Sequence, residues 1–490
     1  MMGQFWLTGR RRSPEYVLPY PAPDKPADCK ELQRKEPIAM RRRISLLLLF
    51  CIVLSLSGCM MLNSSDLLTL PEISPEHRQL LKLVNAETST AAWATTNPVS
   101  GDNRLTMQFV DFYGDGIPEA VAFFRNQKEF RLRTALYTKT GSASYSVLCT
   151  FDLPGDQFHR VDYADLDGDG SMEMLVSVRL DTAAVYALYV YAIRNGSALE
   201  LLQATYTDLA VFDLDGNGAC DILLVNGDET SAELFSCENQ TMVSRGKAPL
   251  SEGIRVLSNI RTGFLNETTP AAVADGTFTD ATGAVKYLSD VFVCEQGGEL
   301  KNLSYAEVFH QSFETQRTVP YAFSDADFDG YLEFPIAVPS VSGGTGGQYV
   351  RWYGYLPDGS VAAKSDAYHH SGGAWYFLLP DAWRDTAGIR GLSTGTYSAV
   401  VFSYKAGGMA YELLTLYLFP SEEAMQDAKV EGIAAAVTYN GSVYAIRLPK
   451  KPSGNVPANL YLSGVDEARE RLVFLTAAGG YVQASRINEK

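Results

Sequence analysis

Four short segments of this 490-residue chain gather oxygen-bearing side chains at one repeated spacing. Asp111, Asp115 and Glu119 belong to the first, and Asp165, Asp167, Asp169 and Glu173 to the second. Asp213, Asp215, Asn217 and Asp221 make the third, and Asp325, Asp327, Asp329 and Glu333 the last. Counted from each leading Asp, the oxygens fall at positions 1, 3, 5 and 9. A hard cation such as calcium takes about six to eight oxygens at roughly 2.3–2.6 Å. Side chains at positions 1, 3 and 5 can converge on one point, position 7 offers a backbone carbonyl, and the acid at position 9 closes the shell. Glycine at position 6 permits the sharp turn. Calcium is the expected ion, because magnesium prefers fewer protein ligands and a stricter octahedron. An ion-free acidic turn would use the same residue types. Three copies with the full side-chain set weigh against it. The first copy departs from the pattern, since Tyr113 stands where an acid is needed, and its ion is left open.

Something must hold these loops in place, and the spacing says what. The loops start 54, 48 and 112 residues apart. The last gap is about twice the others, so a worn copy belongs near its middle. Arg261 to Pro270, followed by Ala271-Ala272-Val273-Ala274, is that copy: the carboxylate spacing is gone, but a turn and an apolar strand remain. Each loop runs straight into an apolar segment, such as Met174 to Val178 or Ile222 to Val225. Tyr186 to Ile193, the Asn195-Gly196 turn and Leu199 to Gln203 read as strand, hairpin, strand. These segments lack the 3.6-residue period of a helical solenoid. A repeat of about 50 residues with several short strands per unit predicts a mainly β chain, a β-propeller of about five blades.

The D-x-D-G-D/N-G-x-x-E/D units, each followed by apolar residues, resemble the FG-GAP/VCBS repeats of integrin-α-type N-terminal propellers. Together with a lipobox, a short helix and a C-terminal α+β region, they make residues 56–490 similar to bacterial VCBS-repeat lipoproteins. The resemblance implies a bladed propeller with calcium in loops on one face. It implies no established activity.

Composition narrows the partners. A formal charge of -16 argues against nucleic acid, which needs clustered Lys and Arg. The 41 Gly, 27 Tyr and 23 Phe suit a β-rich chain with many turns. Near the start, Arg41-Arg42-Arg43 precedes the mostly apolar run Ile44 to Leu56, which is shorter than a membrane-spanning helix of about 20 residues. Leu56-Ser57-Gly58-Cys59 resembles a bacterial lipobox, which implies lipid on Cys59 and a chain held on the outer side of the cell membrane. Residues 1–39 fit no export pattern and read as an over-extended start before Met40, with a long n-region as the alternative. Expected divisions are 1–58 for leader and signal peptide, 59–99 for tether and helix, 100–365 for the propeller, and 366–490 for a small α+β domain. Ser74-Pro75-Glu76 opens the tether helix. In the last region, strands are expected at Tyr397–Tyr404, Glu412–Phe419 and Val443–Leu448, with helices after Ser421 and from Val465 to about Phe474. Trp375, Tyr376 and Trp383 are expected in its core.

A search for catalytic chemistry returns little. Cys149, Cys220, Cys237 and Cys294 have no C-x-x-C spacing, and buried thiols are favoured over a Cys220–Cys237 disulfide. His369-His370 reads as an exposed turn, and Gly343 to Gly347 as a hairpin tip. Gly391 to Gly395 matches G-x-S-x-G, but a strand rather than a helix follows, so no nucleophile elbow is expected. The function read from the sequence is a lipid-anchored, calcium-stabilised, non-catalytic module for a protein or glycan partner. The alternatives are an extracytoplasmic hydrolase using the propeller channel and an envelope assembly protein.

Overall fold

The structure is a computed structural model. It describes residues 75–487 apart from 90–91, 142–143, 180–184, 255, 296, 340–346, 373, 451–452 and 477–479. The signal segment, the lipobox with Cys59, and the glycines expected at a hairpin tip before Gly347 lie outside the described residues. None of the described helices is long and apolar enough to cross a membrane.

Helix α1 (Pro75–Thr88) opens with proline, whose fixed φ and missing N–H suit a first helical position. The chain then folds into successive antiparallel meanders. The first sheet has β1 (Ala94–Thr96), β2 (Met107–Val110), β3 (Glu119–Asn126), β4 (Arg131–Gly141) and β5 (Ser144–Pro154). Both β1 and β2 pair with β3, β2 with its first half and β1 with its second. The second sheet is β6 (Gln157–Ala164), β7 (Glu173–Arg179), β8 (Tyr186–Arg194) and β9 (Ser197–Tyr206), in that order. The third is β10 (Asp208–Phe212), β11 (Asp221–Asn226), β12 (Ser231–Glu238) and β13 (Thr241–Pro249). The fourth is β14 (Val256–Asn266), β15 (Thr269–Thr279), β16 (Val285–Cys294) and β17 (Leu300–Asn302). A short hairpin, β18 (Tyr305–Ala306) with β19 (Gln311–Ser312), leads to the fifth sheet. That sheet begins with β20 (Glu333–Ala337), β21 (Gly347–Tyr355), β22 (Val361–His370) and β23 (Trp375–Leu379). A sixth sheet follows, made of β24 (Ala387–Ser393), β25 (Ser398–Ala406), β26 (Met409–Phe419), β27 (Ala435–Tyr439) and β28 (Ser442–Arg447), with α2 (Glu422–Ala428) after β26. After α3 (Val465–Arg471), β29 (Leu472–Leu475) and β30 (Tyr481–Gln483) return to extend the fifth sheet beyond β23.

Strand periodicity explains how the sheets stack. Successive side chains point to opposite faces, and the central strands here are apolar on both faces, as a strand covered on each side must be. In β3, Ala120, Ala122 and Phe124 pack on Leu80 and Val84 of α1, while Val121 and Phe123 face Val161, Met174 and Val176 of the second sheet. In β11, Ile222 and Leu224 face Leu175 and Leu188, and Leu223 and Val225 face Ala272 and Ala274 of β15. Ala271 and Val273 then meet Phe334 and Tyr355 of the fifth sheet. Tyr368, Trp375 and Phe377 meet Val400 and Phe402 of the sixth. The order is therefore α1, then sheets one to six, each burying a face on the next. Each fully buried Val, Leu or Phe contributes about 1.5–3 kcal/mol of transfer free energy. The outer face of the first sheet is covered by α1, the sixth sheet covers Tyr349, Tyr368 and Phe377 of the fifth, and Val319 and Ala326 pack on the opposite face of the fifth at Val350, Trp352 and Ala367.

Most of the expected elements in the last third are present. Ser421 caps α2, its hydroxyl accepting from the Ala424 N–H at 3.2 Å, and Asn440-Gly441 turns the chain between β27 and β28 with both residues at positive φ. Trp375, Tyr376 and Trp383 are buried. Two expectations are corrected. The last helix stops at Arg471, because Leu472, Val473 and Phe474 are an apolar run buried as β29 beside β23. His369 is not in an exposed turn: it sits in β22, buried against Tyr321, Trp352 and Tyr376. Residue 365 falls inside β22, and strands from both sides of it share the fifth sheet.

Candidate metal centre

The four acidic loops occupy one structural position. The first joins β2 to β3, the second β6 to β7 and the third β10 to β11, while the last precedes β20. In every case the position-9 acid is the first residue of the strand that follows. Glu119, Glu173, Asp221 and Glu333 are all buried. Each turns one carboxylate oxygen back to accept the N–H of position 2, from Phe112 (3.3 Å), Leu166 (3.0 Å), Leu214 (2.9 Å) and Ala326 (2.9 Å). The position-2 side chains are themselves buried among core residues. The loop is thus pinned at both ends, by an apolar anchor and by a buried carboxylate.

The leading Asp and the glycines shape the turn between those pins. Asp111, Asp165, Asp213 and Asp325 each accept the position-6 N–H, at 2.7, 2.9, 2.9 and 3.1 Å. Position 6 is glycine at positive φ throughout. Position 4 is a second left-handed residue, which the sequence reading did not single out. Gly114, Gly168 and Gly216 fill it in the first three loops, and Phe328 adopts φ 67° in the last. The recurring Gly in D-x-D-G was the visible signal for it. Adjacent loops also touch. The N–H of Met172 donates to the Phe112 carbonyl at 3.3 Å, that of Cys220 to Asp165 at 2.9 Å, and that of Leu332 to Phe264 at 2.7 Å. These donors stand at position 8 of their loops, so the loops line one edge of the stack.

The side chains converge to different degrees. Ligand atoms of Asp165, Asp167 and Glu173 lie within 4.8 Å of one another, as do those of Asp213, Asp215 and Asp221, and those of Asp325, Asp327, Asp329 and Glu333. Among the described residues the first loop is not gathered in this way, consistent with Tyr113 at position 3. Asp169 stands outside the second group, and the Asn217 side-chain oxygen accepts the Ala219 N–H at 2.7 Å. The worn copy is a tight turn between β14 and β15, in which the Asn266 side chain accepts from Thr268, with no room for a nine-residue loop.

The second oxygen of each position-9 acid separates the loops further. Thr138 donates its hydroxyl to Glu119 at 3.1 Å, and Ser236 to Asp221 at 2.5 Å. The strand register places Ala192 and Gly354 at the equivalent points, and neither has a hydroxyl. At Glu173 the nearest cation is Arg194, 3.7 Å away. At Glu333 the second oxygen, Oε1, is buried with no hydrogen-bond partner. Desolvation by burial, with neighbouring Asp charges, raises all four acids: Glu173 to about 7 and Glu333 to about 9, while Glu119 and Asp221 move in the same direction. The same burial raises Asp325 and Asp327. A buried carboxylate cluster of this kind is unfavourable when charged and unpaired, and a cation at its centre removes that penalty. The ligand set is all oxygen, which suits a hard divalent ion.

Cys149, Cys220, Cys237 and Cys294 are unpaired and half-buried, and burial raises each thiol above its ordinary range. Ser393 ends β24 and the next element is β25, so the strand–turn–helix of a nucleophile elbow is not formed there.

No family model matches this chain, and no curated protein matches it. Solved structures align with it only loosely. The exotype rhamnogalacturonan lyase YesX covers 72% of this chain and 74% of its own, at 12% identity and a TM-score of 0.26. A mannose phosphorylase from Leishmania mexicana covers 59% of this chain and 92% of its own, at 13% identity and a TM-score of 0.21. At these scores neither likeness carries an argument about fold or function.

Proposed function

We propose that this chain is a calcium-stabilised β-repeat module, held outside the cytoplasm by lipid on Cys59, that binds a protein or glycan without catalysis. In this reading the first five sheets are FG-GAP/VCBS-like blades in propeller order, with α1 and the sixth sheet covering the two ends of the series. The ions are structural. They neutralise the loop carboxylates and stiffen the row of loops that forms one edge of the molecule. The observation that carries the reading is the last loop, where four carboxylates converge and Glu333 is fully buried with one oxygen unpartnered. The third loop, with Asp213, Asp215 and Asp221, is the second site. Calcium is favoured over magnesium because the ligands are many and come almost entirely from the protein.

The test is the thermal melt of the purified protein in chelator and in millimolar calcium. An ion at about 100 times its dissociation constant stabilises the fold by about 2.7 kcal/mol per independent site. The melting temperature is expected to rise with calcium, and Asp215→Ala is expected to lower both that rise and the bound calcium measured by titration calorimetry. A melt and an affinity that Asp215→Ala leaves unchanged would remove the third loop from the reading. No calcium uptake by the wild-type protein would sink the reading whole.

A further inference from the structure

Arg194 is the last residue of β8, next to the Asn195-Gly196 turn, and its guanidinium lies inside the carboxylate cluster of the second loop. Its Nη2 is 2.6 Å from Asp167 Oδ2, 3.5 Å from Asp169 Oδ2 and 3.7 Å from Glu173 Oε1. The strand register gives the corresponding residue beside the other loops. Glu173 lies opposite Ala192, two residues before Arg194. The same step from the partner of each position-9 acid leads to Thr140, Glu238 and Leu356. Of these four positions only one carries a cation; at the last loop Lys364 of β22 touches one carboxylate, Asp329 Oδ2, at 3.9 Å. Arg194 stands where the opposing strand has lost the hydroxyl that Thr138 and Ser236 supply elsewhere.

We propose that Arg194 is the resident cation of the second loop and excludes a divalent ion from it. The guanidinium is permanently charged at any physiological pH. It contacts the position-3, position-5 and position-9 carboxylates, three of the four side chains that would ligate the ion. Tethered at the end of β8, it competes with free ion at the high effective concentration of a group on a short linker. Occupancy is therefore divided by sequence: the third and last loops take ions, and the second is closed by its own arginine. The inference rests on reading the loops as cation sites, and its test separates the two claims.

Bound calcium per chain is counted by equilibrium dialysis on the purified full-length protein at neutral pH, for wild type, Asp167→Asn, Arg194→Met and Arg194→Lys. Asp167→Asn is expected to leave the wild-type count unchanged, Arg194→Met to gain one ion, and Arg194→Lys to gain none. In chelator, Arg194→Met is expected to melt below wild type, and calcium is expected to restore it. Loss of one ion in Asp167→Asn, or no gain in Arg194→Met, overturns the inference. If Arg194→Met does not fold, Asp167→Asn decides alone: an unchanged count supports the inference and a lost ion refutes it. A wild-type count of zero defeats the proposed function. A wild-type count above zero with no gain in Arg194→Met defeats this inference alone.

Discussion

Glu333 accepts the Ala326 N–H with one oxygen and leaves the other buried without a partner, among three aspartates. In chelator, burial raises its pKa to about 9, so near neutral pH the folded chain must take up a proton there that the unfolded chain does not hold. Gln at this position keeps an oxygen for the Ala326 N–H and removes the charge. Glu333→Gln is therefore expected to act with opposite signs in two buffers. In chelator it raises stability by about 1–3 kcal/mol, the cost of discharging a buried carboxylate. In millimolar calcium it lowers the melting temperature relative to wild type, because the ion loses its innermost ligand. Paired thermal melts read both signs, and a loss of stability in both buffers would show that Glu333 serves packing alone.

At the scale of the element, strand alternation decides what a sequence motif cannot. His369 and His370 are adjacent, so in β22 they point to opposite faces. His369 stacks on Tyr376 at 4.7 Å and lies tilted against Tyr321 at 4.0 Å, and its Nε2 has no hydrogen-bond partner. Burial lowers its pKa from 6.5 to about 3. Because the folded value is depressed, the unfolded chain takes up the proton first as pH falls. The stability linked to His369 is intact above about pH 6.5 and is lost as pH drops from there toward 3, by up to about 1.4 kcal/mol per pH unit. His369→Phe keeps the stacking and removes the titration. Its stability is expected to fall less steeply than wild type between pH 6.5 and 4.5 in urea titrations, and parallel curves would refute this.

At the scale of the whole molecule, the fifth sheet joins the repeat region to the C-terminal residues. Its Phe334 and Tyr355 meet the fourth sheet, its Tyr349, Tyr368 and Phe377 meet the sixth, and β29 and β30 extend its edge. A chain stopped after residue 365 loses the second half of β22, all of β23 and the aromatic cluster around Trp375, Phe377 and Trp383. Such a chain is expected to lose its cooperative melt and to aggregate on size-exclusion chromatography. A monodisperse monomer melting like the full chain would show that the repeat region stands alone. The C-terminal region accordingly acts on function first through folding, and a binding assay on a truncated chain would confuse the two effects.

What the sequence determined by itself was local: the loop spacing, the strands that follow each loop, the cap at Ser421 and the turn at Asn440-Gly441. These are readable because neighbouring residues set them, through ligand geometry, glycine conformation and side-chain capping. The worn copy between the third and last loops was legible for the same reason, as a turn and an apolar strand without carboxylates. The partners that differentiate the loops were not legible. Thr138, Ser236 and Arg194 lie 19, 15 and 27 residues from the carboxylates they engage most closely, across strand pairings whose register the chain alone does not state. The end of the last helix at Arg471 and the burial of His369 depended likewise on which sheet received each segment. Only the tertiary structure brings a second strand beside each loop, and the side chain on that strand decides whether the carboxylate cluster is met by a hydroxyl, by a guanidinium or by neither.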